Sequence, residues 1–205
     1  YFETGPADMK DIRLVELPQG RIGVFSRPRG DGIMEKYGCF SMMGYTQIDS
    51  LDELDARVIE EAPYIPDVFG KGEWGGANQV HYLDSGLIGI IGHQCYHGPR
   101  DAGMGKEQEV YVNVAFIFDP SAHRMIDRRI LACRSVYPPY PSKRAHISDC
   151  VFTGGIVARP DGLYDLYTGV GDTREGRTVI PYPYEGYGHI VNFGEKPEVP
   201  AKTMP

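Results

Sequence analysis

Charged side chains recur in this sequence beside short apolar runs, at places where a strand would begin or end. Lys10-Asp11-Ile12-Arg13 opens one run, and Ser26-Arg27-Pro28-Arg29-Gly30 closes it. Glu73-Trp74-Gly75-Gly76-Ala77-Asn78 leads into a second, which Gly92-His93 leaves. Ser142-Lys143-Arg144 and Ser148-Asp149-Cys150 lead into a third, which Gly169-Val170-Gly171-Asp172 leaves. Arg13, Arg27, Lys143 and Arg144 suit a phosphate, because a guanidinium matches two of its oxygens at once and an ammonium adds a point charge. Asp149 and Asp172 suit sugar hydroxyls or proton transfer. Trp74, the only tryptophan, serves equally for stacking on a sugar ring or for core packing. A single Arg or Lys is ordinarily a solvated side chain. The same placement in three runs lifts this set above that expectation.

Other chemistries find less support. His93 and His97 are four apart, a spacing that binds metal on a helix, but a strand precedes them and no Glu follows His93. No metal is expected; His93 reads as a hydrogen-bonding site residue and His97 as surface. Gly103-Met104-Gly105 is too poor for a phosphate loop, and no G-x-S-x-G elbow occurs. Cys39, Cys95, Cys133 and Cys150 form no C-x-x-C pair, which predicts reduced thiols in a cytoplasmic protein.

The elements that must position these groups are mostly strands. Ile12–Leu17 and Arg21–Ser26 flank Pro18-Gln19-Gly20; Asn78–Leu83 and Leu87–Ile91 flank Asp84-Ser85-Gly86; Thr153–Ala158 and Leu163–Thr168 flank Arg159–Gly162. Each reads as a hairpin. Their turn glycines, Gly20, Gly86 and Gly162, are 66 and 76 residues apart. Tyr37–Ile48 has room for one or two strands. Val110, Val112, Val114 and Phe116 alternate along another, with a return over Arg129–Arg134. About four strands per period is the signature of a β-propeller blade; a β-sandwich is the alternative. Ser50-Leu51-Asp52-Glu53 has the form of a capping box, and Leu51, Leu54, Val58, Ile59 and Ala62 keep helical spacing. This predicts a connector helix over 51–62, ended by Pro63.

The 205 residues carry a net charge of -7, with 41% hydrophobic and 24% charged residues. That apolar share excludes a disordered chain, and the acidic balance argues against nucleic acid as partner. No apolar run is long enough to span a bilayer as a helix, and no signal peptide is visible. The 26 Gly, 16 Pro and 14 Tyr suit short strands, tight turns and aromatic faces. At the observed period the chain supplies about three blades, whereas propellers close with about four to eight. The opening Tyr1-Phe2-Glu3, without Met, agrees with an expectation that residues 1–205 are the C-terminal portion of one propeller domain. The missing blades would then come from upstream sequence or from a second chain or fragment.

Met9-Lys-Asp-Ile-Arg13, Phe25-Ser-Arg-Pro28, Glu73-Trp-Gly-Gly-Ala-Asn78, Ile91-Gly-His93 and Asp149-Cys-Val-Phe-Thr-Gly-Gly155 together resemble the signature runs of domain of unknown function 1861. That family includes the proteins of the MTP-1 family, mannosyltransferase/phosphorylases of glycosyltransferase family 108, and is similar to the mannoside phosphorylases of glycoside hydrolase family 130. The resemblance implies an all-β, five-bladed β-propeller and reversible, inverting phosphorolysis or transfer of β-1,2-linked mannose, giving mannose 1-phosphate. It implies no resident cofactor; inorganic phosphate or GDP-mannose is the co-substrate, and oligomannoside or mannose 1-phosphate the ligand. A second catalytic base is unnecessary when phosphate is the nucleophile, whereas a retaining hydrolase needs two carboxylates about 5–5.5 Å apart.

Carried onto this chain, Asp149 is expected to hold mannose hydroxyls, with Glu73, Trp74, Asn78 and Asp172 as further sugar contacts. Arg13, Arg27, His93, Lys143 and Arg144 are the expected phosphate contacts. Cys150 stands where an apolar residue is common, and Ser26 where Thr is. By analogy with the family 130 enzymes, the catalytic acid belongs to the portion before Met9, so the catalytic residue is left unassigned and the piece alone is expected to be inactive. A glycan-binding propeller without turnover and a β-mannoside hydrolase are the alternatives. The cationic set favours the phosphorylase, since a neutral glycan has no need of it.

Overall fold

The computed structural model describes residues 6–100 and 107–194. The fold is all-β, built from three antiparallel sheets laid down in chain order. Sheet one contains β1 (Met9–Glu16), β2 (Ile22–Pro28) and β3 (Gly44–Ile48). Sheet two contains β4 (Trp74–Tyr82), β5 (Ile88–Arg100), β6 (Glu107–Asp119) and β7 (Arg124–Ala132). Sheet three contains β8 (Val151–Ala158), β9 (Tyr164–Val170) and β10 (Arg174–Ile180). Each is a simple meander, strand beside next strand, so short turns suffice as connections.

Alternation along the strands explains the stacking. In β6, Val110, Val112, Val114, Phe116 and Phe118 join Phe25, Tyr45, Ile88 and Ile90 in the core between sheets one and two. The intervening Ala115 and Ile117 join Ile91, Val151, Ile156 and Leu166 between sheets two and three. Sheet two is therefore apolar on both faces and lies in the middle. Each fully buried Ile or Phe contributes about 1.5–3 kcal/mol, so these two cores hold the sheets together.

The sheets share one irregularity. In β1, Lys10 faces Arg27 but Arg13 faces Phe25. In β4, Ala77 faces Gly92 but Gln79 faces Ile91. In β8, Thr153 faces Thr168 but Gly155 faces Tyr167. Each first strand thus carries one extra residue, a β-bulge, at the same place. Equivalent register pairs close to it, Lys10–Arg27, Gly76–His93 and Phe152–Gly169, are offset by the same 66 and 76 residues as the turn glycines. The recurrence legible in the turns is a recurrence of whole strand pairs. The side chain after each of the first two bulges also grips the next sheet's bulge region. Arg13 Nε donates to the Asn78 carbonyl at 2.7 Å, and Gln79 Oε1 accepts from the Ile156 N–H at 2.6 Å. Bulges leave backbone groups outside the ladder, and these side chains satisfy them.

Two expectations need correction, the connector helix and the strand count per sheet. The helix predicted over 51–62 breaks into a 3-10 turn, Leu51–Glu53, and a short helix, α2 (Ala56–Glu60). Ser50 makes no capping bond; Asp55 caps α2 instead, its Oδ1 accepting from Val58 N–H at 2.7 Å. Burying Ile59 against Val24 and Ile48 on the outer face of sheet one decides which residues stay helical. Tyr37–Ile48 holds one strand, Gly44–Ile48, within the one or two expected, and is preceded by a helix the sequence did not announce, α1 (Asp31–Tyr37), closed by Gly38 in the left-handed conformation (φ 73°). Only sheet two reaches four strands; sheets one and three have three each among the described residues. Gly103-Met104-Gly105 lies outside them. All four cysteines are free thiols; Cys39, Cys95 and Cys150 are buried and Cys133 is half-buried. Among the described residues no helix is long and apolar enough to cross a membrane.

Candidate active site

The bulges of β1 and β4 meet where sheet one packs on sheet two, and there the chain buries the Arg27 guanidinium. The β1 bulge puts Asp11 in the left-handed region (φ 49°), a conformation Asp tolerates better than most residues. This turns its carboxylate inward onto Arg27 of β2. Arg27 Nη1 donates to Asp11 Oδ2 and also to His93 Nε2 of β5, the latter at 2.9 Å. His93 Nδ1 is 2.7 Å from Asn78 Oδ1, on the β4 bulge. Room for the guanidinium arm exists because position 76 is glycine: a Cβ there would lie 2.6 Å from Arg27 Cδ.

This network borders two adjoining cavities. The smaller, about 190 Å³, is lined by Lys10, Asp11, Arg27, His93, Tyr111, Ile147, Cys150, Phe152 and Asp172. The larger, about 600 Å³, shares Lys10, Arg27 and Tyr111 and adds Asp8, Arg29, Ser41, Trp74, His97 and Glu109 among others. Arg27 is only 8% exposed. Its Nη2 has no acceptor among the described residues, and its Nε is buried without a partner. A buried cation with unused donors beside a cavity is a site for an oxyanion. Trp74 forms an aromatic wall of the larger cavity, its Nε1 donating to Tyr111 Oη at 3.2 Å and its ring meeting those of Phe40 and His97. Burial, then Arg27, Arg13 and Lys10, holds His93 well below the usual histidine range. Burial pushes the Cys150 thiol up to about 12, so it stays protonated.

The structure brings Arg13, Arg27, Asn78 and His93 into one network and places Trp74 and Asp172 on the cavity walls. Asn78 is spent on the protein, holding His93 through its side chain and Arg13 through its carbonyl. Glu73 lines neither cavity; its Oε2 accepts from the Gly70 N–H and from Gln94 Nε2, pinning the turn before β4. Asp149 is half-buried. Its carbonyl accepts from the Tyr111 N–H, and its carboxylate accepts no hydrogen bond among the described residues. Lys143 pairs with Asp172 at 3.4 Å at an exposed rim. Arg144 is exposed and lines neither cavity. Lys10, Asp11 and Tyr111, which the sequence reading left without a role, are central. Asp11 carried a signal in the Lys-Asp-Ile-Arg run, but its aim depends on a bulge that a sequence does not display.

Solved structures with this arrangement of strands exist. MPT-4, a mannose phosphorylase from Leishmania mexicana solved with a phosphate ion, is 45% identical with a TM-score of 0.82. MPT-1, a GDP-Man-dependent mannosyltransferase from Leishmania mexicana, is 44% identical with a TM-score of 0.80. A hypothetical protein from Leishmania major is 44% identical with a TM-score of 0.78. Each match covers 92% of this chain and 56% of the other, so the chain spans little more than half the length of these relatives. No curated protein sequence matches. The family model described as a protein of unknown function, DUF1861, matches residues 1–186, and the chain belongs to that family.

Proposed function

We propose that this chain is the phosphate- and sugar-gripping part of an enzyme that moves mannosyl groups to and from phosphate. The observation that carries the reading is Arg27, a buried guanidinium with unused donors at the junction of two cavities. Both Leishmania mexicana relatives are described as acting on mannose or GDP-Man, which supports mannose as the sugar. In the reaction, a phosphate oxygen bonds to the anomeric carbon of a β-1,2-linked mannoside, from the face opposite the glycosidic oxygen. The bond from the anomeric carbon to the glycosidic oxygen breaks, an acid protonates that departing oxygen, and mannose 1-phosphate forms with inverted configuration. Arg27, with Lys10 and Arg29 beside it, offsets the charge of the phosphate. The larger cavity, walled by Trp74, receives the sugar. Asp149 lines neither cavity, but its carboxylate accepts no hydrogen bond among the described residues, and this reading gives it mannose hydroxyls. The acid is not assigned to a residue of this chain.

The same reading treats the three meanders as three blades of a five-bladed propeller. Their bulged first strands adjoin, and Val157 (55% exposed), Tyr167 (44%) and Val179 (45%) leave the outer face of sheet three uncovered, as a surface for a next blade. GDP-mannose as donor is the nearest alternative, since the two named relatives have almost equal identity.

The test is mannose 1-phosphate release from β-1,2-oligomannosides by the full-length protein, with and without inorganic phosphate. Release that requires phosphate is expected. Equal release of mannose without phosphate makes the protein a hydrolase, and oligomannoside binding with no product makes it a glycan-binding module. Asp149→Ala is expected to weaken oligomannoside binding at least tenfold with little change in thermal stability; unchanged affinity removes Asp149 from the sugar site.

A further inference from the structure

His93 sits at the centre of the buried network, yet it is fully buried, 0% exposed, and both its ring nitrogens are occupied by protein groups. It has no atom left to offer a ligand. What it does follows from counting protons. Arginine is a donor only, so the nitrogen it meets, Nε2, must carry a lone pair. A neutral imidazole then carries its proton on Nδ1, which donates to Asn78 Oδ1. Reversing the Asn78 amide would require two acceptor nitrogens in the ring, and neutral imidazole has only one. Protonating Nε2 would set donor against donor and cation against cation.

The Arg27 side has a matching constraint. Nη1 carries two protons; one goes to Asp11 of sheet one and the other to His93 of sheet two. A single carboxylate would leave the guanidinium free to swivel. Two acceptors on one nitrogen, from different sheets, fix its plane and leave Nη2 as its unengaged end.

Building on the phosphate reading above, we infer that His93 is a positioning residue: a neutral imidazole, protonated on Nδ1 and held by Asn78, that orients the Arg27 guanidinium toward an oxyanion. It touches no substrate. Its contribution is a preorganised donor, which need not reorganise as charge develops.

Two substitutions separate this role from packing. In His93→Gln the side-chain oxygen can reach the Nε2 position and accept from Arg27. In His93→Asn the shorter amide can satisfy Asn78 but leaves Arg27 without its second acceptor. Calorimetry on the full-length protein with inorganic phosphate should show at least about tenfold weaker binding for His93→Asn, the size of losing a hydrogen bond to a charged group. His93→Gln should stay within about threefold of the wild type, less than one hydrogen bond's worth. Equal affinities for all three proteins, or equal loss in both variants with unchanged melting temperature, overturn the inference and leave the phosphate reading standing. A wild-type protein that binds no phosphate overturns the reading, and the inference with it. Nitrogen-15 NMR of the unsubstituted protein tests the tautomer without any variant. A protonated Nδ1 and bare Nε2 at neutral pH are expected, and a protonated Nε2 sinks the inference.

Discussion

The two joints between sheets use equivalent positions for opposite ends. Asp11 on the first bulge and Thr153 on the third occupy the same place in the repeat. At the joint of sheets one and two, Asp11, Arg27, His93 and Asn78 form a charged network that opens into two cavities. At the joint of sheets two and three the network is neutral and sealed. Tyr137 Oη donates to Thr168, Thr168 to Asn113, Asn113 to Thr153 and Thr153 to the Gly92 carbonyl, over distances of 2.6–3.3 Å. Asn113, Thr153 and Thr168 are all buried. One joint satisfies its polar groups internally and serves as structure. The other leaves a cation with donors to spare, the mark of a site that awaits a ligand.

The contrast can be broken most forcefully at Asp11. Asp11→Ala strands Arg27 as a buried charge and should cost about 3–5 kcal/mol in urea unfolding. Thr153→Val at the equivalent position leaves only neutral partners unsatisfied and should cost about 1–3 kcal/mol. Equal costs would mean that the charged joint is solvated rather than buried.

Acid should strain both joints. His81, whose Nδ1 is 2.8 Å from Tyr184 Oη, is lowered by burial to about 4 from an unfolded value of 6.5. His93 is shifted in the same direction. Because the unfolded chain takes up these protons first, stability is fully present above about pH 6.5 and is lost as pH falls toward 4. Urea midpoints between pH 7.5 and 4.5 should decline accordingly, and His81→Gln should flatten part of the decline.

Gly76→Ala sharpens the comparison at the site itself. The new methyl meets Arg27 Cδ, so an overpacking cost of about 1–3 kcal/mol should come with a clear loss of phosphate affinity. Gly155→Ala, whose methyl would lie 2.7 Å from Gln79 Oε1, disturbs the other joint and should spare phosphate binding at similar cost. The smallest effect belongs to Lys143→Ala. Its pair with Asp172 is more than half exposed on both sides, so stability should move by less than about 1 kcal/mol.

Much of the scaffold was legible in the residues. The three hairpins and the alternating β6 strand are present, because apolar alternation and turn glycines act locally. The helix at 51–62 was misjudged because a capping pattern competes with packing: only the part that buries Ile59 remains α-helical. Asp31–Tyr37 was missed because it is only seven residues long and fully buries none of them, so its apolar residues are too few to show a period. At the site, Arg27 and His93 were singled out by their place after a strand. Asp11, Tyr111 and the neutral chain through Asn113 were not, since nothing in their spacing says which partner they will meet.

By itself, then, the amino-acid sequence determined the repeat, the strand pairs and the supply of cations at strand ends, all properties of neighbouring residues. The tertiary structure decided which of those cations matters. Arg27 is set apart by burial, by a carboxylate turned inward at a bulge and by a neutral imidazole from the next sheet. Lys143 and Arg144, of the same charge, remain at the solvated rim. Desolvation and fixed partners distinguish a binding guanidinium from a surface one, and both arise only when two sheets close on each other.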